Sequence, residues 1–217
     1  TVTTRVGLIS SGSLAISAAN FTESVDFRAA LFSNAFLSAV GTVVYDHANY
    51  TPYVSVANGY GSNQWRFGGG HGLLIVTSAI GGADSVLIGG GGVYGTVQLR
   101  GTNTFAGELR VQDYMHLLVT NPATAPAWGL GSASRIAVSN GTLSIGNTIV
   151  TNPIVVWSGT ANPLYNRAVI RLVPGTTNLI EGPITAIAGF SVKVNNGSGA
   201  GAHIFSGGVI GTNVTVA

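Results

Sequence analysis

The sequence has no cysteine and little charge. Charged residues make up 7% of its 217 residues, against about 25% in a typical globular protein. The lack of cysteine excludes a disulfide scaffold. The apolar content of 46% excludes a disordered chain, because disordered segments are rich in charge and poor in apolar residues. The composition is therefore that of a folded protein that does not depend on disulfides.

Neither a nucleic-acid partner nor a membrane-spanning helix is predicted. The pI of about 9.2 arises from nine Lys and Arg against seven Asp and Glu. The basic residues are scattered from Arg5 to Lys193, whereas a phosphate-binding footprint would be clustered. The longest apolar stretch, Ala29 to Tyr45, is 17 residues long and interrupted by polar residues, and a transmembrane helix needs about 20 apolar residues.

A short pattern recurs along the chain: Gly, then Ser or Thr, then an apolar–any–apolar triplet. Alternate side chains of a strand share a face, so each triplet places two apolar side chains on one face. The preceding Gly allows a tight corner. The pattern predicts stacked strands in units of about 20–30 residues, as in solenoid proteins. Clear copies begin at Gly12, Gly41, Gly95 and Gly141, and looser ones at Gly72, Gly107, Ser134 and Asn213.

The fold class predicted from these repeats is all-β, with a β-solenoid as the main hypothesis. No hydrophilic linker divides residues 1–217, so we expect a single domain. An antiparallel β-sandwich stays open as the alternative, because the Asn-Gly pairs at Asn58, Asn140 and Asn196 suit hairpin turns.

One segment, from Thr22 to Val40, fits two interpretations. Thr22 could cap a helix, Val25, Phe32 and Val40 lie near helical spacing, and Gly41 would stop it. The same segment also contains apolar residues at alternate positions, as a strand would.

From Phe67 onward the sequence resembles a known repeat. GTVQLRG (95–101) and NTFAG (103–107) within Phe67–Val111 resemble the autotransporter passenger-associated strand repeat. Residues Trp128–Ile149 and Gly182–Val216 look like further units. The first 66 residues match poorly, so we expect either divergent coils or a distinct cap there.

This resemblance implies a right-handed parallel β-helix exported to the surface of a bacterium. Such repeats usually belong to stalks, adhesins or matrix proteins and rarely carry out chemistry. The expected location is therefore extracellular, and the expected function is structural. Both termini are strand-like, GTNVTVA at one end and TVTTRV at the other, so we expect either that flanking sequence continues the stack or that the ends pair with other copies of the chain.

An aromatic cluster is the candidate binding site for surface glycans. Exposed aromatic rings can stack on sugars, which would make the protein an adhesin module. The alternative interpretation is that these rings pack within the N-terminal region. The candidate residues are Tyr45, Tyr50, Tyr53, Tyr60, Trp65 and Arg66.

Catalysis, metal binding and cofactor binding are not predicted. Glycoside hydrolysis needs two nearby carboxylates, and the chain has only seven acidic residues. Stacking of coils could bring Asp84, Glu108 or Asp113 together, so a polysaccharide-active enzyme is the weakest of the three alternatives. The histidines lack the spacing of a metal site, and no phosphate-binding loop is present.

Overall fold

The computed structural model describes most of the chain as short strands joined by turns. It describes residues 12–23, 25, 35–46, 63–90, 94–120, 130–157, 169–187, 190–194, 201–211 and 214–216. The strands are β1 (Ser13–Ile16), β2 (Asn20–Phe21), β3 (Phe36–Ala39), β4 (Thr42–Tyr45), β5 (Gln64–Phe67), β6 (Leu73–Val76), β7 (Ser85–Ile88), β8 (Thr96–Leu99), β9 (Leu109–Val111), β10 (His116–Thr120), β11 (Ile136–Ser139), β12 (Thr142–Gly146), β13 (Ile149–Val150), β14 (Ile154–Trp157), β15 (Val169–Leu172), β16 (Asn178–Ile180), β17 (Ile184–Ala186), β18 (Phe190–Val194), β19 (His203–Phe205), β20 (Val209–Gly211) and β21 (Val214–Val216).

The strands form two nine-stranded sheets and one three-stranded sheet. The first sheet has the order β1-β3-β5-β7-β9-β11-β14-β17-β20, and the second has the order β2-β4-β6-β8-β10-β12-β15-β18-β21. The third sheet has the order β13-β16-β19. The chain visits the first two sheets alternately and adds each new strand beside the previous one. We call one such visit to both sheets a coil.

Every strand pairing among the described residues is parallel. The expectation of an all-β fold is confirmed, and the stacked parallel sheets are consistent with a β-solenoid. The antiparallel sandwich is wrong, because consecutive strands enter different sheets instead of folding back as hairpins.

The hydrophobic core follows directly from the two-residue period of the strands. In β8, Val97 and Leu99 are buried in the core, while Gln98 between them belongs to the opposite face. The same alternation recurs in β10, where Leu117 and Val119 lie in the core. One continuous cluster of buried apolar side chains results, extending from β1 to β17.

Glycine permits the close approach of neighbouring coils at the corners. A Cβ atom on Gly72 would lie 2.7 Å from the carbonyl oxygen of Ala39 and 2.7 Å from the amide nitrogen of Gly41. Both are backbone atoms, which cannot rotate away. Close contact between coils therefore requires glycine at some positions of the repeated pattern, namely Gly72, Gly95, Gly107 and Gly141, but not at Gly12 or Gly41.

Buried asparagines connect successive coils. The side-chain oxygen of Asn103 accepts a hydrogen bond of 2.8 Å from the amide of Ile80, and Asn152 donates one of 2.9 Å to the carbonyl oxygen of Ala133. At a corner, some backbone amides and carbonyls have no partner in a neighbouring strand. A side chain from the adjacent coil can supply the missing hydrogen bond. The Asn of the NTFAG element thus acts as a bridge between coils.

The helix predicted over Thr22–Val40 is wrong for the last residues of this segment, which the structure describes. Residues Phe36–Ala39 form β3, which pairs with β1, and Val40 is exposed instead of lying on a buried helical face. Val25 is buried, while residues 24 and 26–34 lie outside the described residues. The alternating apolar residues that favoured a strand were Val25, Phe27, Ala29 and Leu31. Val25 lies in no strand and the other three lie outside the described residues, so that interpretation stays a prediction.

Candidate functional site

An open groove runs across four successive coils. Its volume is about 560 Å³. It runs along the corner where the chain leaves the first sheet and enters the second, at the starts of β4, β6, β8 and β10. The strand register places Thr42, Leu73, Thr96 and His116 side by side along it. We call this concavity the tyrosine groove.

The side chains that line the tyrosine groove are aromatic or polar, with one aliphatic side chain at Leu73. Tyr94 is 55% exposed, and its ring centroid lies 5.7 Å from that of Tyr114 at an interplanar angle of 43°. His71 and His116 line the groove with them, together with Thr42, Leu73 and Thr96. Of the described lining residues, none is Lys, Arg, Asp or Glu. The remaining lining residues are Gly41, Gly72 and Gly95, which leave the floor between the rings without side chains.

The turn before β10 holds one of the two tyrosines in an unfavourable backbone conformation. Asp113 and Tyr114 both have positive φ, 56° and 64°, and the amide of Met115 donates to the carbonyl oxygen of Gln112 at 3.1 Å. Positive φ at both central residues is the pattern of a type I′ turn, which favours Gly at the position that Tyr114 occupies. A bulky side chain there costs on the order of 1 kcal/mol.

His116 lies on the floor of the tyrosine groove as a neutral imidazole. Its Nε2 and the Ser144 hydroxyl oxygen are 2.6 Å apart and share a hydrogen bond. Burial lowers the pKa of His116 below its usual value of 6.5, and the positive charge of Arg171 lowers it further. The groove therefore offers an uncharged imidazole at neutral pH.

We expect the stability of the protein to fall on mild acidification because of His116. In the unfolded chain this histidine takes up a proton near pH 6.5, whereas the folded chain resists it. The unfolded state thus binds more protons below that pH, and the free energy of unfolding decreases as the pH falls from about 7.5 towards about 5. Denaturant unfolding across this range is the measurement. His116→Gln should flatten part of the slope, and an unchanged slope in that variant would contradict the assignment.

The aromatic cluster predicted from the sequence does not form an exposed platform in the described residues. Tyr45 is fully buried and stacks on Phe21 with centroids 5.7 Å apart. Trp65 is 91% buried and donates from Nε1 to a carboxylate oxygen of Asp84 at 2.8 Å. Both lie on the inward row of their strands, so packing in the core accounts for them. Arg66 is also buried, and Tyr50, Tyr53 and Tyr60 lie outside the described residues.

A second polar cluster lies on the outer face of the first sheet. Arg110 binds one carboxylate oxygen of Glu108 at 2.8 Å, and Arg135 binds the other. The guanidinium of Arg110 also lies 5.5 Å from the ring centroid of Trp157. Beside it, Arg66 donates to Gln64 at 2.8 Å. Because Glu108 is held between two cations, its role in this arrangement is to satisfy their charges.

The carboxylates of Asp84, Glu108 and Asp113, on which the enzyme hypothesis depends, are each bonded to neighbouring side chains. Asp84 accepts hydrogen bonds from Asn63 and Trp65, and Asp113 accepts one from Gln112. Within the described part of the chain, no group of three His, Cys, Asp or Glu residues is arranged to hold a metal ion.

The residues of the tyrosine groove were not identified by sequence reasoning, although the repeats contain a signal for some of them. His71 and Tyr94 each precede a Gly of the repeated pattern that lies directly before a strand. The paired starts of β6 and β8 bring these positions to the same corner. Aligning the residue before each repeat Gly would have placed these two side chains together.

Comparisons with known proteins identify no family for this chain. No family model matches the chain, no curated protein matches its sequence, and no solved structure matches its fold. In the part of the chain that the structure describes, no helix has the length and apolar character to cross a membrane. Stacked parallel strands with an apolar core and a neutral, aromatic groove at one corner are therefore the features that bear on function.

Proposed function

We propose that the protein is a structural element of a bacterial surface filament, stalk or matrix, wound as a right-handed parallel β-helix and associating end to end. No reaction and no cofactor is assigned to it. The low charge, the absence of cysteine and the resemblance of the repeats to autotransporter passengers support an extracellular location.

The observation that carries the proposal is the character of the two sheet edges. Among the described residues, β20 and β21 have a strand on one side only, as do β1 and β2 at the other end. None of these four strands contains a charged residue or proline, which are the usual means of preventing edge pairing. Since the described strands are all paired in parallel, a second copy stacked head to tail would continue both sheets, and such contacts generate filaments.

Val209 supports the proposal that a further coil adds at the edge of β20. It pairs with Ile184 in the inward-facing row of the first sheet, where Ile154 and Ile184 are buried. Val209 itself is 44% exposed. A strand added beside β20 would cover it and remove apolar surface from water, which is the main favourable term in association.

We expect Val209→Lys to abolish assembly of the purified chain. A Lys in the inward-facing row would be buried without a partner when the next coil is added, at a cost of several kcal/mol. Electron microscopy and sedimentation across a concentration series measure the result. The wild-type chain should form filaments whose length grows with concentration, and the variant should remain as single particles.

A matched variant separates the edge from a general effect of charge. Ile149 is 50% exposed and faces outward from a coil within the stack, so Ile149→Lys should assemble as the wild type does. A wild-type chain that stays monomeric at every concentration would overturn the proposal. Assembly by Val209→Lys at the wild-type concentration would do the same.

A further inference from the structure

The tyrosine groove has the chemistry of a site for an uncharged, hydroxyl-rich ligand. Its rings present apolar faces, and Tyr94 in particular is exposed. Its polar groups are the hydroxyls of Thr42 and Thr96 and the imidazoles of His71 and His116, and these can both donate and accept hydrogen bonds. A sugar ring has the matching pair of surfaces, with C–H groups on its face and hydroxyls around its edge. Aromatic side chains with polar neighbours suit such amphipathic ligands.

The backbone at Tyr114 is a second and independent indication of a binding role. A type I′ turn would be more stable with Gly or Asn at this position, yet the chain has Tyr with φ 64°. Strained residues of this kind cluster at ligand sites, because selection for binding can retain a conformation that folding disfavours. The turn directs the ring of Tyr114 to within 5.7 Å of the Tyr94 ring, so the strained residue completes the aromatic wall.

The dimensions of the groove favour a chain of sugars over a single one. Its floor crosses four paired strands, β4, β6, β8 and β10. Neighbouring strands lie about 4.8 Å apart, so the floor spans about 14 Å. The repeat of an extended pyranose chain is close to the strand spacing, so successive rings could lie over successive coils. We propose that the tyrosine groove binds a neutral chain of hexopyranose units.

Charge distinguishes a neutral glycan from other extended ligands. A polyuronate, a nucleic acid or a phosphorylated ligand would need cationic partners, and none of the described lining residues supplies one. The neutral state of His116 agrees with this, because burial and Arg171 lower its pKa. Asp113 in the adjoining turn is already hydrogen-bonded to Gln112 and would repel an anionic chain.

The test is titration of the purified chain with neutral and charged hexasaccharides. Cellohexaose, laminarihexaose and maltohexaose are the neutral probes, and hexagalacturonate is the charged one. We expect at least one neutral probe to bind and hexagalacturonate to bind more weakly. Tyr94→Ala should weaken binding by about tenfold, because it removes one stacking face. The same titration of Val209→Lys measures binding in a chain that does not assemble.

Two further variants show whether the groove is the site. Ile149→Ala removes a side chain of similar exposure, 50%, outside the groove and should bind as the wild type does. Tyr114→Asn suits the positive φ of the turn, so it should fold normally and still lose affinity. The proposal is overturned if no neutral probe binds, if hexagalacturonate binds more tightly, or if Tyr94→Ala keeps wild-type affinity.

Discussion

Gly72→Ala is expected to destabilise the protein by about 3 kcal/mol or more. The added methyl group would lie 2.7 Å from two backbone atoms of the preceding coil, and closer still to the carbonyl oxygen of Gly41. That carbonyl accepts the hydrogen bond from Leu73 that begins the pairing of β4 with β6. The two coils would therefore have to move apart where the ladder starts, and both contact and hydrogen bond would be lost. Thermal and denaturant unfolding measure the cost.

Gly12→Ala is the matched control for this prediction. A Cβ atom on Gly12 would meet no atom of the described residues within 4 Å, and neither Gly12 nor Gly72 has the positive φ that opposes a side chain. Gly12→Ala should be neutral or slightly stabilising, because alanine reduces the freedom of the unfolded chain. Equal stability of the two variants would mean that the glycines serve only the turns and that close approach of the coils is unimportant.

The strands were predictable because their signal is local. The triplets after Gly12, Gly41, Gly95 and Gly141 coincide with β1, β4, β8 and β12. Each triplet needs only alternating apolar residues and a glycine corner, and both are visible within a few residues of sequence. Parallel stacking could be predicted from the repeated units, but not from the length of the turns, because only two residues separate β3 from β4 and β11 from β12.

The site was less predictable because it depends on the length of each coil. Thr42 pairs with Leu73, 31 residues later, whereas Leu73 pairs with Thr96 after 23 residues and Thr96 with His116 after 20. Variable spacing hides which side chains share a corner until the register is known. Tyr45 and Trp65 illustrate the converse problem, since closeness in sequence suggested a surface cluster while strand alternation directs both into the core.

Phe105→Ala is expected to cost about 3–5 kcal/mol and to lower the melting temperature by about 10 °C. Phe105 is the aromatic residue of the NTFAG element and is fully buried. A Cβ atom on Gly131 would touch its ring at 3.0 Å, so the next coil packs directly against it. Removal of the ring leaves a cavity at a corner where glycine and backbone cannot move in to fill it. Calorimetry of the variant measures the loss.

Because Phe105 lies in the middle of the stack, its substitution should change how the protein unfolds as well as its stability. Each coil of a stacked protein contacts only its neighbours, so stability is a sum of coil and interface terms. Weakening two adjoining interfaces at once should divide the stack, and the two parts should then unfold at different temperatures. Amide hydrogen exchange should show reduced protection on both sides, in β7 and β11, before either end of the stack is affected.

Phe205→Ala gives the matched comparison at the end of the stack. Phe205 is only partly buried and packs against the end of the core, and its strand β19 pairs on one side with β16. The same substitution there removes less buried area and weakens one interface, so it should cost less than half as much and increase exchange only in the neighbouring strands. Equal costs, or a single sharp transition in both variants, would mean that the coils unfold as one unit and that a sum of neighbouring interfaces does not describe this protein.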